Sequence, residues 1–130
     1  MRILVVDDDS ITRKLLGMYL KSKGYEIEYA ENGLEALEKL GQVEINIVLT
    51  DLNMPYMDGI EFTRNMKTEP NYSHIPVVMV TTEADMDEKM RAIQAGADAY
   101  LVKPVTAEQV NDTVRRLLKE IFQKGGDFNV

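Results

Sequence analysis

A series of short apolar runs, each stopping abruptly on polar or charged residues and each followed by a stretch with helical spacing, restricts this chain more than any other feature. Ile3, Leu4, Val5 and Val6 form the first run and end at Asp7-Asp8-Asp9. A continuous aliphatic run of that length reads as a strand buried on both faces. The same pattern predicts strands over 3–6 (β1), 45–49 (β3), 77–80 (β4) and 100–102 (β5). Glu26-Ile27-Glu28-Tyr29 alternates polar and apolar, as a half-exposed edge strand (β2, 26–29) does.

Between these runs the period changes. Ser10 is the expected N-cap of α1, with Ile11, Leu15, Met18 and Tyr19 on its inner face, Leu16 and Leu20 widening it, and Gly24 as the stop. Asn32-Gly33 leads into α2, which carries Leu34, Leu37 and Leu40. Gly59-Ile60-Glu61-Phe62 opens α3 after a loop over 52–58, and Pro70 and Pro76 keep it out of the following strand. Met86 to Gln94 predicts α4, before Gly96. The last helix, α5, is expected over 107–122 with Val110, Val114, Leu117, Leu118 and Ile121 on one face. This alternation selects an α/β fold with a parallel sheet covered by helices on both faces. One domain is expected over 1–124, with a flexible tail over 125–130.

The chain has 130 residues, enough for one hydrophobic core. No segment reaches the roughly 18 consecutive apolar residues of a membrane span, and the N-terminus lacks signal-peptide features, so a cytoplasmic protein is expected. Cysteine is absent, which removes disulfides and thiolate metal sites. The net charge of −7 repels phosphate backbones and anionic lipid, so neither nucleic acid nor membrane is an expected partner.

In doubly wound sheets the ligand site lies beyond the carboxyl ends of the strands. The residues there are Asp7, Asp8 and Asp9 after β1, Asp51 after β3, Thr81 and Thr82 after β4, and Lys103 after β5. Clustered carboxylates repel one another unless a cation shares the site. Mg²⁺ suits an oxygen-only donor set that also accepts phosphate oxygens. A carboxylate can act as nucleophile, and the resulting acyl phosphate needs a metal and a cationic group around its oxygens. Asp51, alone at the end of the central strand, is the expected acceptor. Asp7 and Asp8, being adjacent, suit joint action on a metal; Lys103 supplies the cation, and Thr81 or Thr82 a hydroxyl donor.

With these residues in place the chain resembles the receiver domains of two-component response regulators over nearly its whole length. The matching segments are Leu4-Val5-Val6-Asp7-Asp8, Asp51-Leu52-Asn53-Met54-Pro55 with Met57-Asp58-Gly59, Thr81-Thr82, Ala95-Gly96-Ala97-Asp98 and Lys103-Pro104. The likeness is greatest to the CheY-like single-domain subclass. It implies a flavodoxin-like sheet in the order 2-1-3-4-5, Mg²⁺ held by Asp7, Asp8, Asp51 and the Asn53 backbone carbonyl, and phosphorylation of Asp51 by a histidine kinase. Thr81 and Lys103 then bind the phosphoryl oxygens. Tyr100 occupies the place of an aromatic switch coupled to an output face made by α4, β5 and α5, for which the flagellar motor switch is one candidate target. The resemblance further implies that Asn53 and Glu83 flank the path of the attacking water, and a short-lived phosphorylated state is expected. Thr82 stands where the family has a smaller residue, and Asp9 has no assigned role.

Other classes share parts of this pattern. A phosphorelay intermediate fits the same residues. A Mg²⁺-dependent phosphohydrolase of the haloacid dehalogenase type also uses an Asp after β1 with a second Asp two residues on, and requires Asp7 as nucleophile. A flavin-binding protein of the same topology needs a hydroxyl-rich phosphate loop after β1, where this chain has only Asp. The single histidine, His74, makes neither a metal site nor a catalytic pair.

Overall fold

The computed structural model describes the backbone of residues 1–128 and the side chains of residues 1–123. Five strands, β1 (Arg2–Val6), β2 (Glu26–Ala30), β3 (Ile47–Thr50), β4 (Val77–Thr81) and β5 (Ala99–Val102), form one parallel sheet in the order β2-β1-β3-β4-β5. They alternate with α1 (Ser10–Lys21), α2 (Gly33–Gln42), α3 (Gly59–Thr68), α4 (Met86–Ala95) and α5 (Ala107–Phe128). The expected fold class and strand order hold.

Strand side chains alternate between the two faces. Ile3, Val5, Ile47, Leu49, Val78 and Val80 join Leu16 and Leu20 of α1 and Val110, Val114, Leu117 and Leu118 of α5 in one apolar layer. Leu4, Val6, Val48 and Val77 point the other way, onto Ala36 and Leu40 of α2 and Phe62 and Met66 of α3. A third cluster joins Met79 to Ile60, Ala92, Ala95 and Ala97, seating α4. Between their polar end residues the central strands are covered on both faces, which is why their apolar runs are continuous.

Several boundaries differ from expectation. Strand β3 begins at Ile47, because Asn46 ties the sheet's lower edge: its Oδ1 accepts from Arg2 N at 2.7 Å and its N donates to Arg2 O at 2.9 Å. The N-cap of α1 is Asp9, not Ser10; the Asp9 carboxylate accepts from Thr12 N at 3.3 Å. The apolar face of α1 is also rotated. Leu16, Gly17 and Leu20 are buried, whereas Ile11 is 76% and Met18 58% exposed. Packing against both the sheet and α5 selects the narrow 16/17/20 stripe. Helix α5 continues past the expected end at Phe122 to Phe128; Gly125 and Gly126 lower helix propensity but keep the N–H groups that a proline would remove. Residues 129–130 of the expected tail lie outside the described residues.

Helix ends fix the loops around the upper sheet edge. Asn32 caps α2 through Glu35 N at 2.9 Å, and Asp58 caps α3 through Glu61 N at 2.8 Å. Gly96 ends α4 with φ +115°, a left-handed conformation that favours glycine. The rotated α1 face leads to a measurable contrast. In urea unfolding, Leu20→Ala is expected to cost about 3 kcal/mol, the ordinary cavity penalty. Ile11→Ser is expected to change stability by less than about 0.5 kcal/mol, as for an open surface position.

Candidate functional site

The alternation that builds the core also places the polar groups. Continued beyond the strands, the parity of Ile3 and Val5 reaches Asp7, that of Ile47 and Leu49 reaches Asp51, and that of Leu101 reaches Lys103, all on the α1/α5 side. The ladder itself persists that far: Asp7 N donates to Ala30 O at 3.0 Å and Asp51 N to Val6 O at 2.9 Å. The three side chains meet. Lys103 Nζ lies 2.8 Å from Asp7 Oδ2 and 3.2 Å from Asp51 Oδ2.

Asp7 is fully buried. Its Oδ1 accepts from Asp9 N at 2.9 Å, so both carboxylate oxygens are engaged. Burial pushes the Asp7 carboxyl above its ordinary range, opposed by the bonds from Lys103 and Asp9. Burial of Lys103 acts against its charge, but the bond to Asp7 and the charges of Asp51 and Asp7 outweigh it and hold its pKa above that of a free lysine. Lys103 is therefore a fixed cation. Asp51 Oδ1 accepts from Leu52 N at 2.7 Å, which sets the plane of its carboxylate.

Asp8 is exposed, yet one carboxylate oxygen from each of Asp7, Asp8 and Asp51 lies within 4.8 Å of the others. A single ammonium among these carboxylates leaves negative charge uncompensated. The donor set is oxygen only and acidic, which fits a hard cation. Asp9 stands apart from it: the Thr12 hydroxyl, 2.6 Å away, and the Thr12 amide hold the Asp9 carboxyl below its ordinary value.

Thr81 and Tyr100 lie on the opposite parity, toward α4. Thr81 is buried, and its Oγ1 accepts from Glu83 N at 3.2 Å. Tyr100 packs on the α4 cluster and donates from its hydroxyl to Glu83 O at 2.6 Å. Burial, with the charges of Glu83 and Glu88, pushes the Tyr100 phenol up, so it remains a donor. Thus Thr81 and Tyr100 grip the same residue from two sides. Asn53 is exposed at the rim, in the loop that leaves Asp51. Thr82 is exposed and, with Leu15, Pro104 and Val105, lines a shallow groove opening on Lys103.

The response regulator receiver domain pattern matches residues 3–124. The chain belongs to that family. It is 38% identical over 125 residues to the chemotaxis protein CheY-3 of Vibrio cholerae, covering 95% of this chain and 93% of that one. It is 36% identical over 120 residues to the chemotaxis protein CheY1 of Helicobacter pylori, covering 91% and 97%. Among solved structures, a CheY-like receiver domain protein of Methanospirillum hungatei superposes with a TM-score of 0.88 at 31% identity, covering 95% of this chain and 97% of that one. This receiver domain is accordingly a phosphoacceptor signalling protein, not a classical enzyme, and a histidine kinase is its upstream partner. Among the described residues no helix is long and apolar enough to cross a membrane.

Sequence reasoning missed three contributors. Asp9 is the α1 cap, a role signalled by the Asp-x-x-Thr spacing. Gly59 N donates to Leu52 O at 2.7 Å, and a Cβ on Gly59 would collide with the Asp51 carbonyl oxygen. Tyr56 adopts φ +70° where Met57 N donates to Pro55 O at 2.8 Å, a γ-turn of the strained kind. No residue type in 52–58 announces that conformation.

Two solution tests follow from the charge balance. Lys103→Ala is expected to cost about 3 kcal/mol at neutral pH, since it leaves Asp7 buried without its cation. Because the folded-state pKa of Asp7 is raised, the folded protein holds a proton that the unfolded chain has released, and this residue's contribution to stability declines as pH rises through that window. The Lys103→Ala deficit should therefore shrink as pH is lowered into the acid range. In the wild type, a bound divalent cation at about tenfold its dissociation constant should add about 1.4 kcal/mol to the unfolding free energy.

Proposed function

We propose that Asp51 accepts the phosphoryl group, that Mg²⁺ is the cation of the acidic site, and that the phosphorylated domain signals through the α4-β5-α5 face in a chemotaxis-type pathway in the cytoplasm. The observation that carries the reading is the Lys103 ammonium set between Asp7 and Asp51 at the edge where the acidic oxygens converge. Asp7 supports the assignment by elimination. Its side chain is fully buried, whereas that of Asp51 is 13% exposed, which disfavours a phosphohydrolase that attacks through Asp7.

In the transfer, an Asp51 carboxylate oxygen forms the new O–P bond as the P–N bond of the donor phosphohistidine breaks, and the freed imidazole nitrogen keeps the electron pair. Asp7, Asp8, Asp51 and the Asn53 carbonyl would hold Mg²⁺, whose charge offsets that of the phosphoryl oxygens. Lys103 offers a second cation, and Thr81 a hydroxyl once it turns from Glu83 N. That rotation frees the Glu83 segment, which Tyr100 also holds, and so ties the site to α4 and β5. Met86, Met90 and Ile93 on α4 and Val102 on β5 are exposed there, as an adaptable apolar contact surface requires. Asn53 and Glu83, two residues beyond Asp51 and Thr81, would set the rate at which the phosphorylated state is hydrolysed. Thr82 narrows the approach along the groove beside Lys103.

The chemotaxis assignment rests on the names of the relatives; a phosphorelay intermediate shares every site residue. Acetyl phosphate with MgCl₂, followed by trapping and mapping of the acyl phosphate, is expected to label Asp51 stoichiometrically. Asp51→Asn should abolish labelling with the circular dichroism spectrum unchanged. Label on Asp7, or undiminished label in Asp51→Asn, overturns the assignment. Tyr100→Phe should label normally yet lose most of the beryllofluoride-dependent gain in partner binding.

A further inference from the structure

Asp8 is the one member of the acidic triad whose carboxylate has neither a hydrogen-bond nor an ion-pair partner among the described residues, and it is exposed. An untethered side chain on a loop is a poor ligand unless its backbone is fixed. Asp7, directly before it, is held on every side. Its N donates to Ala30 O at 3.0 Å, and its carboxylate takes Asp9 N and Lys103 Nζ. Its carbonyl, the oxygen of the Asp7–Asp8 peptide, accepts from Arg13 Nη1 at 2.7 Å. That plane sets the direction in which Asp8 leaves the chain.

Arg13 is well placed to hold it. It lies one turn into α1, where Asp9 O receives its backbone N–H at 3.0 Å. Its side chain is 13% exposed, and its second terminal nitrogen lies 3.6 Å from Glu31 Oε1, just beyond β2. The planar guanidinium thus bridges the β1–α1 loop and the β2–α2 loop, which a lysine's point charge cannot do at both ends. We propose that Arg13 is a positioning residue for the metal site, acting through the Asp7–Asp8 peptide to aim Asp8. The proposal rests on the reading of the acidic triad as a Mg²⁺ site.

Charge and geometry predict opposite signs here. Arg13 is a cation beside a cation site, so by charge alone its removal should tighten Mg²⁺ binding. If it works as a clamp, its removal should weaken binding, by about tenfold, as for other groups that orient metal ligands. The test is MgCl₂ titration of the full chain, followed by amide chemical shifts or calorimetry with no phosphodonor present. Arg13→Met keeps the aliphatic stem, so packing survives. It is expected to raise the dissociation constant about tenfold, with Arg13→Lys recovering part of the loss. In an Asp8→Asn background, Arg13→Met should change affinity little, since the ligand it aims is already impaired.

Equal or tighter binding by Arg13→Met, or an undiminished tenfold loss in the Asp8→Asn background, overturns the proposal. A wild type that shows no saturable response to MgCl₂ overturns the metal reading itself, and the proposal with it. A role confined to fold stability would lower the melting temperature of Arg13→Met equally with and without MgCl₂. It would leave the dissociation constant unchanged, which also overturns the proposal.

Discussion

The Lys103 ammonium, 2.8 Å from Asp7 and 3.2 Å from Asp51, is the contact on which the upper edge of the sheet depends. Three strands end on carboxylate or ammonium groups that their own apolar runs carry out of solvent, Asp7 completely, where an isolated charge is costly. Lys103 relieves the conflict between Asp7 and Asp51 without removing it. What remains is an edge biased toward binding positive charge from solution. The same contact joins β5, at one edge of the sheet, to β1 and β3.

Strand parity divides the labour. Asp7, Asp51 and Lys103 fall on the α1/α5 side, while Thr81 and Tyr100 fall on the α4 side. Glu83 is where Thr81 and Tyr100 meet: its N donates to the Thr81 hydroxyl and its carbonyl accepts from Tyr100. On the proposed reading, a change at Asp51 would reach α4 and β5 through the short segment that both groups hold.

Much of this was legible in the sequence, because it follows from periodicity. Continuous aliphatic runs mean strands covered on both sides, and residues that end such runs in a doubly wound fold converge, so the convergence of Asp7, Asp8, Asp51 and Lys103 follows from where the runs end. The α1 face was misjudged for a physical reason. Ile11, Leu15 and Met18 share a helical stripe as regular as the buried one, and hydrophobicity alone does not say which stripe meets α5. Ser10 and Asp9 are both good cap residues by type, and the start of the apolar period does not choose between neighbours; in the fold Asp9 serves α1. Arg13 went unnoticed since its function lies in a backbone carbonyl, and sequence patterns describe side chains. The γ-turn at Tyr56 carries no residue signature at all.

Gly59 has a wider implication. The first residue of α3 packs against the Asp51 carbonyl so closely that no side chain fits between them. The helix therefore works as a gauge for the acceptor's backbone, and its register along the sheet is dictated by the site, not by the core it covers. Phe62 and Met66 further along can trade volume with their neighbours over evolutionary time, as core residues do. The first turn of α3 cannot drift in that way, so lineages descended from this chain would diversify along the body of the helix while its head stayed fixed.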